Sequence, residues 1–314
     1  MVVGGDGDPT KRGVVSTANY VARRFGIHSA MPLRTAFKRC PEAVFLPVDE
    51  DAYLEASRHV MDTLRSFPAV VQVLGWDEAF MGVETVDPET LAHEVQTRVL
   101  ERTRLWCSVG VGDTKLRAKL ASGFAKPRGV FTLTAANWVE VMGAQPTDAL
   151  WGIGSKTAGR LAALGIRTVE QLAAAPEARL ADVFGPRTGP WLRRLATGED
   201  DAEVSAEPHV ARGRGRERTF QQDLSDPQEI RREVSRLAHE LMEDLRAEGR
   251  PVGRVVVKVR FAPFVTHQHA VTLAAPATDE RAIEEGAQEA LARFDLDRPV
   301  RLLGVRGEFT PEHR

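Results

Sequence analysis

Cysteine is nearly absent from this 314-residue chain: Cys40 and Cys107 are the only two, far apart and in no metal-type spacing. A disulfide framework is thereby excluded, and a reducing cytosol fits better. Aromatic residues make up only 6% of the sequence, so the core must rest on Leu, Val and Ala. No apolar run approaches membrane-spanning length. The opening Met1-Val-Val-Gly-Gly lacks the charged and apolar regions of a signal peptide. A basic excess is missing too, since the formal net charge is −2. Nucleic-acid binding usually shows first as such an excess. Any contact of that kind must therefore come from local clusters rather than from the global field. No repeat with a period of 20 to 50 residues is visible. What remains is an ordinary soluble composition, 43% hydrophobic and 27% charged, long enough for two or three domains.

The chain opens as the end of a strand that enters a turn, Gly4-Gly5-Asp6-Gly7-Asp8-Pro9. A short β-like run, Gly13 to Thr17, precedes a helix through Tyr20 and Arg23. Helical patterns come next at Pro32 to Arg39 and Tyr53 to Arg65. Two apolar runs, Ala69 to Trp76 and Ala79 to Val83, flank Asp77-Glu78 and read as a β-hairpin. Glu89 to Arg104 is a helix, Trp106 to Val111 a strand, and Asp113-Thr114 caps the helix after it. This order predicts an α+β domain with a mixed or antiparallel sheet. From Thr134 to Gly198 short helices joined by glycine turns predict a small helical domain. An acidic, then Gly/Arg-rich stretch near 199 to 213 reads as a linker. The last hundred residues predict an independent α+β module. Its strands lie near Arg216–Gln221, Arg254–Phe261, Ala270–Leu273 and Arg301–Glu308, its helices near Pro227–Glu248 and Asp279–Phe294.

Several of these places carry chemistry. Adjacent carboxylates at a hairpin turn, Asp77 and Glu78, are hard oxygen donors that suit Mg²⁺. Alone, such a pair is most often a solvated turn. Tyr20 and Arg23 stand three apart on one helical face beside Thr17, and offer hydroxyls and a guanidinium to a polyphosphate. Lys126 directly precedes Pro127, which stops the helix and fixes where the ammonium sits. The run Trp151-Gly-Ile-Gly-Ser-Lys-Thr fits a helix–hairpin–helix. Gly152 and Gly154 permit the tight turn, and Lys156, Thr157 and the free N–H groups of the next helix face a phosphate without reading sequence. Arg212, Arg214, Arg216 and Arg218 alternate along an extended chain, so all four point one way and match a row of phosphates. The bland alternative is a solvated linker. His267 and His269 also share a strand face; a polar strand face turned to solvent or DNA is the preferred reading over a metal pair.

In this order the elements resemble the Y-family DNA polymerases of the DNA polymerase IV, translesion type. Thr17 to Arg23 resembles the fingers motif. Trp76-Asp77-Glu78-Ala79-Phe80 resembles the Ser-Ile-Asp-Glu-Ala block, with Gly75-Trp76 in place of Ser-Ile. Cys107 to Gly112 and Ala125-Lys126-Pro127-Arg-Gly129 resemble the palm strand and the triphosphate lysine block. Gly152 to Thr168 and Phe184 to Gly198 resemble the thumb. Thr219-Phe220 and the module after it resemble the little finger. The resemblance implies an α+β multidomain right-hand polymerase with fingers and a remnant of the palm's start at 1–48, palm at 49–133 and a helix–hairpin–helix thumb at 134–200. A linker at 201–213 and a little finger at 214–314 would complete it.

It further implies two-metal nucleotidyl transfer with low fidelity. Asp77 and Glu78 would be catalytic and would hold two Mg²⁺ ions, for which Mn²⁺ substitutes. Thr17, Tyr20, Arg23 and Lys126 would bind the incoming triphosphate. Primer–template DNA and deoxynucleoside triphosphates are the implied partners of a cytoplasmic, nucleoid-associated monomer. The family begins with a strand that carries another metal-binding Asp, then a helix with the residue that excludes ribonucleotides. This sequence opens after both, so an N-terminal truncation and a metal site one carboxylate short are expected. The end, Gly307 to Arg314, lacks the Gln-and-aromatic tail for sliding-clamp docking. A non-catalytic, DNA-binding mutasome-type relative is the alternative. A repair glycosylase or nuclease lacks a catalytic Lys or Asp after the hairpin.

Overall fold

A computed structural model of the chain describes residues 1–310; the last four, part of the segment read for a docking tail, lie outside the described residues. The chain forms two compact units. One joins Met1–Val48 to His209–Arg314 and the other is Asp49–Pro208.

The first 48 residues build a small three-stranded sheet. Strand β1 (Val2–Val3) lies between β2 (Thr17–Ala18), antiparallel to it, and β3 (Phe45–Leu46), parallel to it. Ala22 of α1 (Tyr20–Arg23), Ile27 of the connection after it, and Leu33 and Ala36 of α2 (Leu33–Arg39) are buried with Val2, Val15 and Ala18. The glycine-rich turn falls where the sequence predicts it. Arg12, just beyond, ties this segment to the C-terminal part of the same unit. Its guanidinium pairs with Asp223 and donates to the Phe220 carbonyl at 3.0 Å, and its backbone exchanges hydrogen bonds with the Gln221 side chain at 2.7 and 2.9 Å.

The second unit opens with α3 (Glu50–Arg65), capped by the Asp49 carboxylate, then the hairpin of β4 (Val70–Val73) and β5 (Ala79–Gly82). Helix α4 (Pro88–Thr103) comes next with Asp87 as cap and proline in its first turn, where no N–H is needed. Strand β6 (Val109–Gly112), helix α5 (Lys115–Phe124) and strand β7 (Val130–Leu133) form a β-α-β crossover, so β6 and β7 pair in parallel. A Cβ on Gly110 would lie 2.1 Å from the Ala118 carbonyl oxygen, so glycine is what lets α5 lie directly on β6. The expected mixed or antiparallel sheet is divided: β2-β1-β3 is mixed, β4–β5 is antiparallel and β6–β7 is parallel. Among the described residues the hairpin and the parallel pair are separate ladders.

Helices α6 (Trp138–Met142), α7 (Ser155–Ala163), α8 (Val169–Ala173), α9 (Glu177–Phe184) and α10 (Thr188–Ala196) share a core of Leu150, Leu161, Leu172, Leu180 and Leu192. Buried Arg117 of α5 links this bundle to the crossover. It pairs with Asp113 at 2.8 Å and its guanidinium faces Trp138, whose indole N–H donates to the Ala196 carbonyl at 2.9 Å. The expected linker is not a free tether over its first half. The Leu116 N–H donates to Asp200 at 3.0 Å, the Ser205 N–H to Gln72 at 3.4 Å, and Val204 lies over Gly82.

The C-terminal part of the first unit runs β8 (Gly213–Leu224), α11 (Pro227–Glu248), β9 (Val252–Phe261), β10 (Val265–Ala277), α12 (Glu280–Leu291) and β11 (Val300–Phe309). Its described strands make an antiparallel sheet in the order β10-β9-β11-β8. Apolar residues of α11 spaced three and four apart, Ile230, Val234, Leu237, Leu241 and Leu245, meet Val255, Val257, Val259, Leu303 and Val305 from one sheet face. Among the described residues of this part, both helices pack on that one face and none on the other.

Candidate functional site

The hairpin β4–β5 closes through its backbone. The N–H groups of Leu74 and Gly75 both donate to the Glu78 carbonyl, at 2.9 and 3.3 Å. Gly75, Trp76 and Asp77 therefore form the tip, and the Asp77 and Glu78 side chains are exposed beside each other as the sequence predicts. Helix α5 braces the hairpin at two points one helical turn apart. The Lys115 ammonium donates to Gln72 at 2.7 Å and lies 5.1 Å from the Phe80 ring centre. The Lys119 ammonium reaches the Glu78 carboxylate at 2.5 Å. Lys119 is not among the residues expected at the site. Its signal is present in the sequence, because Lys115 and Lys119 share a face at i,i+4. Among the described residues no group of three or more His, Cys, Asp and Glu gathers for a metal. The donor set at the tip is two carboxylates, hard ligands that fit a divalent cation sharing its remaining positions with phosphate and water.

Lys126 sits exposed at the end of the same helix. The loop after it is tightly held. Arg128 has φ +61°, unusual for a residue with a side chain. Its N–H donates to the Ser108 hydroxyl at 3.0 Å, and its guanidinium lies 5.2 Å from the Trp106 ring centre. Gln96 of α4, only 7% exposed, donates to the carbonyls of Cys107, Arg128 and Gly129 at 2.9, 3.1 and 3.0 Å. Nothing in the sequence singles Gln96 out. Its partners lie 11 to 33 residues away along the chain.

In the first unit, Thr17, Tyr20 and Arg23 are all exposed. The Arg23 guanidinium lies 5.8 Å from the Tyr20 ring centre and its Nε donates to the Ala18 carbonyl at 2.9 Å, which sets both side chains on one side of the short helix α1. Asn19 caps that helix by accepting from the Ala22 N–H at 3.0 Å.

The second unit carries the hairpin at Gly152–Gly154. Gly152 has φ +102°, a conformation open to glycine, and packs against Trp191. Gly154 is the N-cap of α7 and brings no side chain to the cap. Its Cβ position is open space, so the first N–H groups of α7 are accessible beside exposed Lys156 and half-buried Thr157. The helix before the turn is reduced to a 3-10 turn, Thr147–Ala149.

Three arginines of the row meet carboxylates of α11. Arg214 pairs with Glu248, Arg216 with Asp244 at 2.7 and 2.8 Å, and Arg218 with Glu240 at 2.9 and 3.2 Å. Residues two apart on a strand are spaced by about 6.7 Å and residues four apart on a helix by about 6 Å, so the two ladders match rung for rung. The row points as one, but at α11, and Arg212 is exposed outside this ladder. The helix-free face carries Arg254, Lys258 and Arg260 of β9 and Arg306 of β11, with Lys258 and Arg260 in register with Gly304 and Leu302. Gly213 and Gly215 of β8 lie against Arg306, where a Cβ would sit 3.2 and 3.1 Å from its side chain. Two carboxylates share this face: Glu308 lies 3.4 Å from Arg254, and Glu217 pairs with Lys258. His267 and His269 alternate with Gln268 and so lie on the other side of β10 from the helix-free face, with His267 tilted against Phe261 at 6.2 Å and His269 edge-on to Phe294 at 4.4 Å.

Comparison with known proteins matches three stretches in chain order. Residues 1–123 match the impB/mucB/samB family and residues 212–309 its C-terminal domain. Residues 148–200 match the thumb domain described for DNA polymerase-iota. "DNA polymerase IV 2" of Mycobacterium tuberculosis (strain H37Rv) is 48% identical over 98% of this chain and 90% of its own length. "DNA polymerase IV" of Methanoculleus marisnigri is 37% identical over 94% of this chain and 82% of its own. The solved Y-family DNA polymerase chimera Dbh-Dpo4(243-245)-Dbh has the same fold, with a TM-score of 0.86 at 24% identity over 98% of this chain and 91% of its own.

Proposed function

The chain belongs to the impB/mucB/samB family, the Y-family DNA polymerases of the DNA polymerase IV type, and on that footing we propose how its residues divide the work. The protein is a translesion DNA-directed DNA polymerase, a nucleotidyltransferase. Its substrates are primer–template DNA and deoxynucleoside triphosphates. Residues 1–48 serve as fingers, 49–133 as palm, 134–200 as thumb and 214–314 as little finger.

The observation that carries the site assignment is the hairpin tip. Asp77 and Glu78 are set side by side by a closed turn, and the helix that braces them runs directly into Lys126. Asp77 and Glu78 would hold Mg²⁺, or Mn²⁺ in its place, and two ions there would supply the charge neutralisation that phosphoryl transfer needs. Glu78 would also serve the attacking primer 3′ hydroxyl. Lys119 holds the Glu78 carboxylate in place until the ions bind. Lys126 places one fixed positive charge for the triphosphate, and Thr17, Tyr20 and Arg23 supply two hydroxyls and a guanidinium for the same group. Gly152, Gly154, Lys156 and Thr157 at the start of α7 receive a backbone phosphate of the duplex through N–H groups. The helix-free face of the little finger, with Arg254, Lys258, Arg260 and Arg306, takes further phosphates. The arginine row of β8 holds α11 in place behind it.

Gel-resolved primer extension with Mg²⁺ tests the assignment. Asp77→Asn and Glu78→Gln should each cut the rate about a hundredfold or more while DNA affinity stays the same. Near-normal extension by either variant removes that residue from the metal site. No observation favours the non-catalytic alternative.

A further inference from the structure

We propose that Gln96 is a positioning residue for the triphosphate lysine. Its carboxamide holds the backbone after Lys126 in the one conformation that presents the ammonium. This role rests on the reading of Lys126 as a nucleotide ligand, and separate variants distinguish the two.

Strain marks the place. Arg128, two residues after Lys126, keeps φ +61° although it has a side chain. A residue in that region persists only where its surroundings over-determine it, and such residues cluster at functional sites. Here the surroundings act on both sides of the residue. The N–H is bonded to Ser108 at 3.0 Å, and the carbonyl accepts from Gln96 at 3.1 Å. The same amide nitrogen also reaches Gly129 at 3.0 Å and Cys107 at 2.9 Å. It therefore joins the Lys126 loop to the segment that enters β6, with α4 as the fixed support. The NH₂ group has two hydrogens for three acceptors, so one of them is shared.

Gln96 stands among apolar neighbours on its helix. Ala92, Val95 and Val99 are buried around it. A core that needed only volume would take Leu or Met there. A polar group at that depth persists when its hydrogen bonds are satisfied, and these are made to the backbone of the Lys126 loop and of the segment that enters β6. Because Lys126 is exposed on a long side chain, the direction of its main chain decides where the ammonium is presented. Release of Arg128 from its strained conformation lets the loop relax and moves that origin.

The experiment measures the Kd of a complementary deoxynucleoside triphosphate on a dideoxy-terminated primer–template with Ca²⁺, so no chemical step intervenes. Gln96→Met keeps the length and removes the donors. It should raise that Kd about tenfold, with DNA affinity within about twofold of the parent. Gln96→Lys restores N–H donors on a stem one bond longer and should return part of the affinity. Lys126→Ala should raise the Kd as well. The double variant Gln96→Met/Lys126→Ala should be no worse than Lys126→Ala alone, because Gln96 acts through that lysine. Ser108→Ala frees the other end of Arg128 without touching the core; it should raise the Kd about threefold and serves if Gln96→Met does not fold. Parent-like affinity in Gln96→Met, failure of Gln96→Lys to recover any of it, additive effects in the double variant, or a parent-like Ser108→Ala each overturn the positioning role. A parent-like Kd in Lys126→Ala overturns the lysine assignment itself, and the positioning role with it.

Discussion

The two faces of the C-terminal sheet carry similar numbers of cations and treat them in opposite ways. On the helix side Arg214, Arg216 and Arg218 meet Glu233, Glu240, Asp244 and Glu248. On the helix-free side, among the described residues, Arg254, Lys258, Arg260 and Arg306 share Glu217 and Glu308. With Arg236, which also pairs with Glu233, four arginines meet four carboxylates and leave the first face neutral, while four cations against two carboxylates leave the other two positive. Spacing alone does not distinguish a phosphate-binding row from a structural one. The complement of charges inside the same fold does. Exposed pairs are weak one by one, but a ladder of three fixes how α11 lies along β8.

A helix-free face neutral toward DNA would break this contrast most visibly. Replacement of Arg254, Lys258, Arg260 and Arg306 by Ala should weaken binding of primer–template DNA on the order of a hundredfold at low salt. Circular dichroism of the variant should stay like that of the parent, since none of the four lies in the core. A smaller effect is expected on the other side. Replacement of Arg214, Arg216 and Arg218 by Ala leaves the α11 carboxylates facing one another and should lower stability by about 1–3 kcal/mol in urea unfolding. DNA affinity should stay within about threefold of the parent's.

The smallest effect extends the same distinction to the second unit, where Asp113 is a carboxylate that the fold has claimed. Burial works to raise its pKa, but hydrogen bonds from Arg117 and the Ala135 N–H outweigh it, and the net shift is downward. A carboxylate with a lowered folded pKa adds stability that is complete above its unfolded value, about 3.9, and is lost as pH falls through the folded one. Thermal unfolding of Asp113→Asn should match that of the parent at the acid end of that window and fall slightly below it at neutral pH. A constant gap between the two down to about pH 2 would deny the pairing.

Legibility in the sequence varies residue by residue. Helix α11 is legible to its ends because Asp226 caps it, Pro227 opens it and Gly249 closes it in the left-handed region. The hairpin tip is legible because two apolar runs flank two acids. The fate of the arginine row is not, although half of the answer lies in view. Glu240, Asp244 and Glu248 recur at i,i+4 on the next helix, and a strand row invites a match to such a ladder before it invites a phosphate. The two-stage character of the linker is hidden because its partners are distant, since Asp200 and Ser205 find them on α5 and β4, far back in the chain. Gln96 is hidden more deeply. It interrupts an apolar helix face, and only the fold brings three carbonyl groups around it.

The salt dependence of DNA binding tests the central distinction between claimed and unclaimed charge. The slope of log K against log salt should fall by about 0.9 for each phosphate that the protein no longer neutralises. A shallower slope is predicted for the Arg254, Lys258, Arg260, Arg306 variant and the parent's slope for the Arg214, Arg216, Arg218 variant. The reverse pattern, with the slope falling only when the β8 row is removed, would contradict it.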